Sequence, residues 1–115
     1  MGSILISIKK LLGISEDYNH FDEILIVHIN SVFSILSQLG VGPPFGFVVH
    51  DEDDLWTDFV DESQQLEFVK SYVGLKVKLL FDPPLASAVI ESTNRIISEL
   101  EWRILVAAES GEEVM

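Results

Sequence analysis

The chain has 115 residues, with 19 acidic side chains against 7 basic ones, a formal net charge of −12 and no cysteine, yet 48% of it is hydrophobic and its mean hydropathy is +0.33. The length holds one domain, residues 1–115, which should bury roughly 65% of its unfolded surface. This apolar content excludes a disordered chain. The charge argues against grip on nucleic-acid phosphates and against anionic membranes. Without cysteine there is neither a disulfide nor a thiolate metal site.

The apolar runs, such as Ile24 to Val27 broken by His28, fall far short of the ~20 residues of a transmembrane helix. Near the N-terminus Lys9 and Lys10 follow the apolar residues, the reverse of a signal peptide, so none is expected.

The first predicted element is a short amphipathic helix, Ile4 to Leu12. Lys9 and Lys10 suit its C-terminal dipole and Gly13 stops it. At this length it must dock on something to persist. A long helix follows, with Asn19 as N-cap, Asp22 and Glu23 in the first turn, and Gly40 as the stop after Leu39. Its apolar residues, from Phe21 through Leu39, go nearly all round. It is therefore either central or meets another chain on its second side.

Gly42-Pro43-Pro44 breaks the chain. Phe47 to His50 and Leu55 to Thr57 are expected to pair as a small β-hairpin across Asp51 to Asp54. A third helix begins near Asp61, where Asp61 and Gln64 match a capping box. It runs through Leu66, Val69, Tyr72, Val73, Val77 and Leu80. Gly74 falls on its more polar face, as a tolerated glycine or as a point of close backbone approach. Asp82-Pro83-Pro84 forms a corner in which Asp82 caps and Pro83 opens a last, antiparallel helix, Leu85 to Ala108. Glu91–Arg95 and Glu99–Arg103 are supporting i,i+4 pairs. Residues 109–115 read as a flexible acidic tail. The fold class is thus mainly all-α: a small helical bundle of three medium or long helices and a short N-terminal one, with an irregular or hairpin insertion around residues 45–60.

Site chemistry is sparse. Asp51, Glu52, Asp53, Asp54, Asp58, Asp61 and Glu62 fall within twelve residues. Counted as an EF-hand from Asp51, the loop puts Trp56 at the sixth position, where the turn needs glycine. A solvated loop, loose divalent binding, and a negative surface facing a basic partner all stay open. His20, His28 and His50 form no metal-ligand spacing. No nucleophile elbow or phosphate loop occurs, so no enzyme and no cofactor is expected. Trp56 either plugs the core or anchors an interface, and Trp102 is expected to face the core in part. Phe45 and Phe47, around Gly46, read as exposed or half-exposed anchors. The candidate interface or channel residues are Phe45, Phe47, Asp51, Glu52, Asp53, Asp54, Trp56, Asp58 and Gly74.

Several stretches together resemble the head–tail connector (head-completion or adaptor) proteins of tailed bacteriophages and prophages. The likeness runs from Phe21-Asp22-Glu23-Ile24 through Gln38-Leu39-Gly40-Val41-Gly42-Pro43, then Trp56 and Phe59. It continues over Val69-Lys70-Ser71-Tyr72-Val73-Gly74-Leu75-Lys76-Val77-Lys78-Leu79-Leu80-Phe81-Asp82-Pro83-Pro84 and closes with Glu99-Leu100-Glu101-Trp102-Arg103. The chain looks like the version found in phages of low-GC Gram-positive bacteria. The resemblance implies a structural virion protein, assembled in the host cytoplasm and placed at the head–tail interface. It implies a ring of about twelve copies between portal and tail or stopper, with DNA passing through without sequence-specific binding. The competing reading from the residues is an acidic regulatory module, a DNA mimic that binds a host protein.

Overall fold

The computed structural model describes residues 2–114, and the side chains of residues 2–109. Five helices follow in order: α1 (Ile4–Leu11), α2 (Asp22–Gln38), α3 (Trp56–Phe59), α4 (Gln64–Phe81) and α5 (Ser87–Val114). Local chemistry sets most of their ends. Ser3 Oγ accepts from the Ile6 amide at 3.3 Å and caps α1. Gly40, at φ +84°, ends α2 in the left-handed region that a side chain would disfavour. The Val41 amide then reaches back to the Leu36 carbonyl and the Gly40 amide to that of Ser37, both at 3.0 Å. Buried Val41 closes the same turn with an apolar contact.

α4 is the hub and touches each of the other helices. Leu66, Val69, Val73 and Val77 on it are buried, as are Leu25, Ile29, Val32, Phe33 and Leu36 on α2 and Ile4, Leu5 and Ile8 on α1. Phe33 gathers Phe47, Phe59 and Trp56 around it, with ring centroids 5.1, 4.6 and 6.1 Å away. Of the two readings of the all-round apolar second helix, the central position falls to α4 instead. α2 leaves Ile24 and Val27 exposed on its outer side.

Among the described residues α5 packs mainly along α4. Tyr72 meets Glu101 while Leu79 shares a cleft with Val89, so the two helices run antiparallel as expected. The molecule measures 44 × 35 × 21 Å. Its thin dimension is about two helix diameters, at ~10 Å each.

The expected hairpin does not form, and no strand occurs among the described residues. One side chain replaces the missing strand. Asn30 on α2 donates from Nδ2 to the Val49 carbonyl at 3.0 Å and accepts at Oδ1 from the Val49 amide at 2.7 Å. Leu55 instead makes an isolated antiparallel bridge to Ser3, through Ile4 N–H to Asp54 C=O and Trp56 N–H to Gly2 C=O. Trp56 and Thr57 then enter α3.

Four helix boundaries also move. α2 starts at Asp22 with no side-chain cap; Asn19 contributes only its carbonyl, to the Asp22 amide at 3.2 Å. The cap of α4 is Ser63, whose Oγ accepts from the Leu66 amide at 3.3 Å, rather than Asp61. α5 starts at Ser87, and Pro83 does not open it, because Pro84 pushes Pro83 away from helical geometry just as Pro83 does Asp82. At its other end α5 continues through Val114, past the expected stop at Ala108. The side chains from Ser110 onward, and with them the expected flexibility of the 109–115 tail, lie outside the described residues.

Candidate functional site

The loop between α2 and α3 holds most of the candidate residues, and its shape follows from its sequence. Gly42, at φ +92°, lies under the Phe59 ring, and a Cβ there would collide with that ring. Pro43 to Gly46 make a β-turn closed by the Gly46 amide to the Pro43 carbonyl at 3.1 Å. The turn throws Phe45 fully into solvent, 100% exposed. Phe47 turns the other way, half-buried with its ring 5.1 Å from Phe33 and 5.2 Å from Phe59.

The acidic run is locked by its own carboxylates. Asp54 Oδ2 accepts from the amides of His50 at 2.7 Å and Asp51 at 3.2 Å. Asp51 Oδ1 accepts from the Asp53 amide at 2.8 Å, and Asp58 Oδ2 from the Leu55 amide at 3.0 Å. The His50 amide is the main reason the Asp54 carboxyl sits below its ordinary pKa; slight burial opposes it, and the Asp51 amide adds to it. Glu52 and Asp53 are left as exposed charges. Among the described residues no three acids or histidines converge on a point that could hold a metal ion.

Two of the candidates are internal. Trp56 is 2% exposed, plugs the core, and donates its indole N–H to Ser7 Oγ at 3.1 Å. Gly74 is buried too, not on a polar face. α1 lies over it, and a Cβ there would stand 2.7 Å from Leu11 Cδ2. The close approach at Gly74 is therefore by a side-chain tip rather than a backbone.

Trp102 reverses its expectation. It is 59% exposed, on the outer side of α5. Glu99 and Arg103 pair beside it at 2.7 Å. Arg95 reaches Ser92 Oγ at 3.4 Å in place of Glu91. The inner side of α5 buries Ile97 and Ile104 instead.

Sequence reasoning missed a buried ion pair. The Lys9 ammonium is 2.9 Å from Asp22 Oδ1 and donates to the Glu16 carbonyl at 3.0 Å, with only 3% of its side chain exposed. One signal was present: Lys9 lies four residues after Leu5, on the apolar side of α1.

These features define a helical module with apolar side chains left on outer faces and an acidic loop pinned to its scaffold. The family model described as phage connector protein matches residues 4–111. The chain belongs to that family, whose members are structural components of the virion that meet portal or tail parts. No curated protein and no solved structure matches the chain. No helix among the described residues is long and apolar enough to cross a membrane.

Proposed function

We propose that the chain is the repeating subunit of a closed ring between portal and tail or stopper, about twelve copies in the virion, through which DNA passes during packaging and ejection. The observation that carries this reading is the pair of unpartnered apolar faces. Ile24 and Val27 are exposed on α2, and Trp102 and Val106 on α5, with α4 between the two helices. A head-to-tail ring covers two different surfaces of every subunit, whereas a two-fold dimer covers one surface twice. The net charge of −12 supports a channel that repels the DNA backbone and so lets it slide.

Native mass measurement with negative-stain imaging, over a concentration series and then with the portal, tests the proposal. Closed rings, alone or on the portal, are expected. A monomer in both settings overturns the ring. Salt-reversible capture by basic host proteins would then favour the acidic regulatory module instead.

A further inference from the structure

The charge of this chain is divided sharply along its length. Residues 11–69 contain 12 acids and no base, while the other residues contain 7 acids and 7 bases. The whole net charge therefore lies on α2, α3, the loops around them and the start of α4. Two apolar clefts, lined mostly from the charge-balanced part, lie on one side of α4. The first, about 490 Å³, lies between α4 and the start of α5; Leu75, Leu79, Pro84, Leu85 and Val89 line it, with Lys78 and Asp82 at its edge. The second, about 380 Å³, lies between α4 and α1 and is lined by Leu11, Gly74, Leu75 and Lys70. Leu75 belongs to both, so they form one trough along α4. Leu11, Leu85 and Val89 along it are open to solvent.

We infer that this trough receives the α2–α3 loop of a second copy of the chain, with Phe45 and Val48 entering the apolar floor and Glu52 and Asp53 facing Lys70 and Lys78. The inference rests on the ring reading and adds a loop contact to the outer α2 and α5 faces on which that reading stands. Three features select this occupant. Phe45 and Val48 are exposed apolar side chains on the same loop as exposed acids. The trough offers the reverse, an apolar floor with lysines at its rim, one of which is paired only to Glu67 at 3.7 Å. The loop is also already ordered by Asn30 and by Asp54, so docking it costs little conformational entropy. Loop and trough are different surfaces, so the contact is heterologous and propagates from copy to copy.

The chain has no cysteine, so introduced thiols report single contacts. An F45C chain is mixed with an L85C chain under mild oxidation, alone and on the portal. Both positions are fully exposed, so neither change disturbs the fold. The mixed pair should give an interchain disulfide at least tenfold faster than either variant by itself. In parallel, K70E/K78E should weaken association roughly tenfold, and adding E52K/D53K to it should restore most of the loss, with helical circular dichroism unchanged throughout. Rings that assemble without the mixed cross-link, or in which F45C chains link equally well to one another, overturn the loop-in-trough contact and leave the ring standing. A chain that stays monomeric both alone and on the portal removes ring and contact together.

Discussion

α2 and α5 are both long helices with apolar side chains on more than one side, yet they are held in different ways. α2 is clasped from several directions. Five of its side chains are buried, Phe33 sits inside an aromatic cluster, and Asn30 ties down the loop that follows. α5 is longer but rests mainly on α4, with Ile97 and Ile104 buried and, among the described residues, one side-chain hydrogen bond across the seam, Tyr72 Oη–H to Glu101 Oε2 at 2.7 Å. Apolar pattern says how much a helix has to bury. The number of neighbours that reach it decides how much it does bury, and the remainder on α5 is surface for assembly.

Variants can break that contrast. The largest effect is expected in the clasped half. Phe33→Ala empties the centre of the aromatic cluster and should cost about 3–5 kcal/mol in urea unfolding. Lys9→Ala strands the Asp22 carboxylate. Because Asp22 keeps 27% of its side chain exposed, the loss should be about 2–3 kcal/mol, and K9M/D22L together should recover most of it.

On the α4–α5 seam the effects shrink. Tyr72→Phe removes the single cross-helix bond, at about 1–2 kcal/mol, and should raise amide exchange in α5 more than in α2. The same residue gives the contrast a pH signature. Burial, and then the Glu101 carboxylate, push the Tyr72 phenol well above its ordinary pKa. The neutral phenol is the form the fold holds. Its contribution is complete below a pH of about 10 and is lost as pH rises beyond it. Thermal melts should show an alkaline decline that Tyr72→Phe diminishes.

Gly74→Ala sets a helix-propensity gain of about 1 kcal/mol against displacement of the Leu11 tip. The two should nearly cancel, leaving a melting temperature within a few degrees of the parent. The smallest effect belongs to Trp102→Ala, below about 0.5 kcal/mol for the isolated subunit. A large loss there would show that the outer side of α5 already supports the monomer.

Much of the helical framework was legible in the sequence. Gly13, Gly40 and the paired prolines mark ends through backbone geometry that acts over a few residues, and those ends fall where expected to within a few positions. The failures were non-local. Nothing near Val49 announces that Asn30, nineteen residues earlier, will occupy both of its backbone groups, so an extended apolar stretch read as half of a hairpin. Trp56 offered two uses and Trp102 read as partly core-facing, and only the tertiary arrangement decides which one is covered. Among the candidate site residues, Phe45, Glu52 and Asp53 reach the surface as their polar and proline-rich context implied. Gly74 and Trp56 do not, because α1 packs across both.

The bond pair at Asn30 has a further implication. It depends on one amide presenting nitrogen to a carbonyl and oxygen to an amide, at the same residue of the loop. Hydrolysis of that amide to aspartate changes the side-chain volume hardly at all, but sets a negative oxygen against the Val49 carbonyl. An Asn30→Asp change would therefore loosen the loop at Val49 without touching the side chains that cap or bury the helices.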